Sequence, residues 1–147
     1  MKSVSFFGVI AGGITDIVVT NILVFPIWVA AVLIGNVMQL PKSQQSAAVA
    51  ATMHAHPPLY ITAMILGCAA SVLGGYVAAL LATHDEVLNG ALSSFLCVGT
   101  GIYGIIRGNS TESVSVEIAM MPLSVVLAAL GGRIALFRSR RTGMGAL

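Results

Sequence analysis

Hydrophobic residues fall along this chain in four long runs, Phe6 to Ile34, Leu59 to Leu81, Val87 to Ile106 and Ile118 to Phe137, with short polar intervals between them. A bilayer core about 30 Å thick takes about 20 helical residues to cross. Each run therefore predicts a transmembrane helix, and together they predict an all-α, four-helix transmembrane bundle in one domain covering residues 1–147. The first run is longer than an untilted crossing needs, so it should tilt, kink near Pro26 or protrude from the membrane.

The intervals carry their own signals. Residues 36–58 form the longest, polar at Lys42-Ser43-Gln44-Gln45 and alanine-rich from Ala47 to Ala51, a pattern that suits a short interfacial helix within an external loop. Pro57 and Pro58 suit the opening of the second span, because a first-turn proline forfeits no helical hydrogen bond. In the brief turn that follows, Thr83 and Glu86 have the spacing of a capping box, each side chain meeting an orphan backbone N–H at the start of the third helix. Gly108 to Glu117 reads as a second external loop, and its Asn109-Ser110-Thr111 is a glycosylation sequon only in a eukaryotic setting. Residues 138–147 form a tail.

Composition places these helices in lipid. Hydrophobic residues make up 57% of the chain and charged ones 8%, against roughly 25% charged in a typical soluble domain. The net charge of +2 comes mostly from the tail, and no basic stripe interleaves with aromatics, so no nucleic-acid partner is expected. Lysine and arginine near span ends are held on the cytoplasmic side. Lys2, Arg138, Arg140 and Arg141 share one side of a four-span chain and Lys42 and Arg107 the other, which predicts that both termini are cytoplasmic. Lys2 ahead of an apolar run imitates a secretory signal, but a signal's apolar region is about 7 to 15 residues. This run is far longer and contains Asp16, so it reads as a retained anchor.

Helices in lipid associate through close backbone approach, which small residues four apart permit. Every span has such a stripe: Gly8, Gly12, Asp16 and Thr20 in the first; Gly67, Ser71, Gly75 and Ala79 in the second; Ser93, Cys97 and Gly101 in the third; Ser124, Ala128 and Gly132 in the fourth. A compact bundle follows, and the same stripes would serve a homo-oligomer or a membrane-protein partner equally well. Leu73-Gly74-Gly75-Tyr76-Val77-Ala78 also resembles Leu130-Gly131-Gly132-Arg133-Ile134-Ala135, which suggests two similar hairpins running the same way across the membrane.

Gly12-Gly13 followed by Asp16-Ile17-Val18, Gly74-Gly75-Tyr76-Val77-Ala78 closing the second span, and Asn89-Gly90-Ala91 opening the third resemble a loose group of small bacterial four-helix membrane proteins. The resemblance implies the four-helix architecture and a bacterial inner membrane, and it brings no activity with it. The long loop with His54 and His56 has no counterpart in it.

Asp16 is the one acidic residue deep within an apolar run. A charged side chain at the bilayer centre costs about 2.5 to 3.5 kcal/mol even on insertion scales, so Asp16 should face protein or water. With Thr20 one turn further along the same face it is a candidate proton or cation site, or else a hydrogen-bonded link between helices. Arg133 is its candidate partner, with outward snorkelling as the alternative. His54-Ala55-His56 could offer imidazoles to copper or zinc, but the loop has no acidic residue and no clear third ligand. His84 lies in the short turn, and no histidine lies deep in a span, which argues against a haem anchor. Cys68 and Cys97 read as packing residues in separate spans. Phosphate-binding, zinc-protease, serine-hydrolase and Cys-x-x-Cys motifs are absent from the sequence, and no cofactor is expected.

Two classes of function remain, with an enzyme third. The preferred one is a structural or accessory membrane protein that packs through its small-residue faces. The runner-up is a small ion- or proton-coupled transporter using Asp16. Four short helices with an acid in the first are similar in arrangement to the small multidrug resistance transporters, although their glutamate-centred motif is missing and this chain is longer. What separates the two is whether Asp16 borders a cavity or a dry helix contact.

Overall fold

The computed structural model describes residues 4–82, 84–107 and 114–141. Thr83, the sequon and the last six residues lie outside them, and so does the Thr83 half of the expected capping box. Among these residues five α-helices follow one another: α1 (Phe6–Ile34), α2 (Lys42–Ala55), α3 (Pro57–Leu81), α4 (Glu86–Arg107) and α5 (Val114–Arg141), with a 3-10 turn at Val37–Gln39. Among the described residues α1, α3, α4 and α5 are long and apolar enough to cross a membrane. At 1.5 Å per residue they run from about 33 to about 44 Å.

Sequence and structure agree on the spans and differ at their ends. α1 continues unbroken through Pro26, and α3 opens at Pro57. The loop expected over 36–58 is largely helical, because α2 folds back and sets Val49 against Ala31, Val32 and Val37. Asn36 takes a left-handed φ of 48° between α1 and this segment, a conformation that asparagine tolerates better than most residues. α5 begins at Val114 rather than Ile118 and reaches Arg141, which moves Glu117 from a loop into a helix. An acidic first turn and a basic last turn complement the dipole of that longer helix.

The bundle is inside out by the standards of a soluble protein. Phe6, Phe7, Phe25, Phe95 and Phe137 are exposed, while the buried positions are mostly alanine, glycine and serine. In lipid, large apolar side chains suit the outer surface and small ones the helix contacts. α3 touches α1, α4 and α5; α4 touches α1 and α5; α1 and α5 do not touch. The order around the bundle is thus α1, α3, α5, α4, with α3 and α4 on the short diagonal.

Close contacts concentrate at the end where α1 begins, α5 ends and α3 gives way to α4. A Cβ at Gly8 would lie 2.8 Å from the Ala78 carbonyl oxygen, and one at Gly12 2.6 Å from that of Gly74. Gly75 presses on the backbone of Ala128, and Gly132 sits against Glu86 and Val87. Towards the α2 end the glycines of α3 and α4 lose such contacts. Gly67 and Gly101 were expected in the same stripes, yet nothing lies within 4 Å of a Cβ at Gly67, and one at Gly101 would meet only the Met121 methyl at an ordinary 3.5 Å. Spacing of four places a residue on a face; it does not say whether a neighbour is pressed against that face at that depth. The helices are pinched together at one end and stand apart towards the other.

Candidate functional site

Asp16 lies on the face of α1 that meets α3, just above the pinch. A Cβ at Gly74 would be 2.8 Å from the Asp16 Cβ, so the glycine is what allows the aspartate to sit between the two helices. Asp16 is 3% exposed. Ser71 of α3 points its hydroxyl at the carboxylate, with Oγ 3.3 Å from Oδ1 and 3.1 Å from Oδ2, and Thr20 Oγ1 donates to Oδ1 at 3.3 Å.

These bonds are long. O–H···O bonds cluster near 2.7–2.8 Å, and those to an ionised acceptor are shorter still, about 2.5–2.7 Å. Each hydroxyl has one hydrogen to give, whereas an ionised carboxylate offers about four lone-pair sites. Ser71 and Thr20 therefore orient the carboxylate while leaving acceptor capacity over.

That capacity adjoins open space. Where the helices separate, a cavity of about 260 Å³ lies between α1, α3, α4 and α5, with Asp16, Thr20 and Ser71 in its lining. Met64, Met120, Met121, Val98 and Leu127 supply apolar wall. Glu117 of α5 borders the same cavity, and its Oε2 is buried without a hydrogen-bond partner among the described residues. Cys68 and Cys97, expected to be packing residues, are free thiols, half-buried in this lining.

Below the cavity the bundle is closed by polar as well as small residues. Asn89 is fully buried, accepts from the Ser5 backbone N–H at 2.8 Å, and donates to the carbonyls of His84 and Asp85 at 2.8 and 3.1 Å. Ser93 and Ser94 are buried one turn further in.

Arg133 does not join Asp16. It is exposed on α5 and carries its guanidinium 5.6 Å from the centre of the Phe137 ring on the same helix. α1 and α5 occupy opposite corners of the bundle, so the helix pairing itself keeps the two residues apart. His54 packs its ring against Tyr60, with centroids 4.7 Å apart, and His56 Nδ1 lies 2.9 Å from the Thr52 carbonyl oxygen. Among the described residues no three His, Cys, Asp or Glu side chains gather into a potential metal site.

Glu117 is the cavity residue that sequence reasoning missed, because the fourth apolar run starts just after it. A clue was available: placed on a helix, Glu117 shares a face with Met120, Met121 and Ser124 at spacings of three, four and seven. Comparison of the chain with family models, curated proteins and solved structures gives no match.

Proposed function

We propose that this chain is a small membrane transporter in which Asp16 loads and releases a proton or cation at the floor of the central cavity. The observation that carries the reading is the setting of that carboxylate: beside open space and held, among the described residues, by two hydroxyls at 3.1–3.3 Å. An aspartate serving only to join helices would be expected in a dry contact with short, complete hydrogen bonds. In this reading the chain sits in a bacterial inner membrane with both termini cytoplasmic, so the cavity lies towards the outer side. The accessory reading draws on one fact, that the Ser71 hydroxyl ties α3 to α1 through the same carboxylate.

Purified protein in liposomes separates the two. An imposed pH gradient should drive proton flux in the wild type, and Asp16→Asn, whose amide keeps hydrogen-bonding capacity but cannot titrate, should reduce that flux about a hundredfold or more while leaving the bundle assembled. Absence of flux in both proteins, or equal flux in both, would reject the transporter reading.

A further inference from the structure

The cavity has a chemistry of its own beyond the floor at Asp16. Among the described residues its lining includes two carboxyl side chains, Asp16 and Glu117, and no lysine, arginine or histidine. Glu117 Oε2 is buried and has no hydrogen-bond partner among the described residues. A buried carboxylate oxygen without a hydrogen bond is costly, and it invites a ligand that supplies positive charge or a donor.

The remaining wall argues about what that ligand is. Calcium or magnesium requires six or more oxygen donors, or a shell of retained waters. Here the lining adds to the two carboxyls only the hydroxyls of Thr20, Ser71 and Ser124, too few oxygens for a bare ion, and the rest of it, Met64, Met120, Met121, Val98 and Leu127 among them, is mostly apolar and would offer a hydrated ion little. An organic cation meets both demands at once: its ammonium centre balances the acidic groups, and its hydrocarbon body displaces water from the apolar wall. Unbranched, polarisable methionines adapt to more than one shape, which favours a class of ligands over a single compound. A volume of about 260 Å³ limits the class to small amines and quaternary ammonium compounds.

We therefore infer that the cavity binds small amphipathic organic cations, with Glu117 acting alongside Asp16 as a second anionic wall. The inference rests on the reading of Asp16 as a loading site, and it adds the substrate class and a second residue.

Benzyltrimethylammonium, with benzylsulfonate as its anionic counterpart, tests this by calorimetry on the purified full chain in nanodiscs. The wild type should bind the cation and not the anion, and Glu117→Gln and Asp16→Asn should each weaken binding about tenfold or more. The chain's two cysteines report location, since both line the cavity. The cation should slow their labelling by a maleimide in the wild type, a measurement that needs no variant to fold. Equal binding of the anion, or cation binding without protection of the thiols, would overturn the inference. Unchanged affinity in Glu117→Gln would remove Glu117 from the site. A wild type that conducts protons through Asp16 yet binds no organic cation would overturn the substrate class and leave the Asp16 reading standing.

Discussion

At Asn89 a single amide joins three pieces of chain: Oδ1 takes the Ser5 N–H at the head of α1, and Nδ2 takes the carbonyls of His84 and Asp85 in the α3–α4 turn. Asp85 holds a left-handed φ of 53°, so the amide also braces a backbone conformation that few residues favour. Asn89→Ala would leave the Ser5 N–H and the His84 carbonyl without this partner, while the Asp85 carbonyl keeps the residue-89 backbone N–H, at a cost of about 1 to 3 kcal/mol. Ser71→Ala removes one long hydrogen bond between helices and should cost about 1 kcal/mol or less. Thermal unfolding in detergent should therefore place the Asn89→Ala midpoint clearly below that of Ser71→Ala; the reverse order would show that the amide network contributes little. Individual residues were unevenly legible in the sequence. Asp16 announces itself because a lone acid in an apolar run has no cheap place to go. Asn89 and Ser71 do not, because a small polar residue in a membrane helix looks the same whether it bonds across helices or to its own backbone, as Ser94 does to Ala91.

Paired glycines divide their contacts between neighbours. Gly12 faces α3 and Gly13 faces α4; Gly74 faces α1 and Gly75 faces α5; Gly131 faces α3 and Gly132 faces α4. Adjacent residues on a helix point about 100° apart, so one Gly-Gly step lets a helix approach two others at the same level. The matching motifs of α3 and α5 do not make equivalent contacts: the first glycine of α3 meets its preceding span, whereas in α5 the second one does. Stripe spacing predicted which faces are small but left their tightness open, since tightness depends on how the helices diverge. This yields a paired expectation within α3. Gly75→Leu drives a side chain into the Ala128 backbone and should prevent the native bundle from forming, while Leu73→Ala trims a side chain that is 46% exposed and should be tolerated. Gly67→Leu should also fold, because nothing opposes it, but its side chain would enter the cavity it lines and reduce benzyltrimethylammonium binding. Size-exclusion profiles and unfolding midpoints of the three variants check the order, and a misfolded Gly67→Leu would contradict the divergence of the helices.

For the whole molecule, the four-span count and the distribution of arginine and lysine predict both termini on the cytoplasmic side. Reporter fusions after Leu40, Thr83, Ser110 and Leu147 should read outside, inside, outside, inside, and a Leu147 fusion reporting outside would reject that topology. Long apolar runs made the number of spans readable from sequence. Their arrangement was not readable, because each span carries a small-residue face and nothing local says which faces meet; the order α1, α3, α5, α4 emerges only from the three-dimensional contacts. One consequence of the pinch concerns time. A gate made of a side chain opens as fast as a rotamer flips, in picoseconds to nanoseconds. At the terminus end, the surfaces in contact are the backbones of Gly75 with Ala128, Gly12 with Gly74 and Gly132 with Glu86, which have no side chain to swing aside. Passage through that end would require whole helices to slide or tilt, a motion of microseconds to milliseconds, so a solute resident in the cavity would exchange quickly with one side of the membrane and slowly with the other.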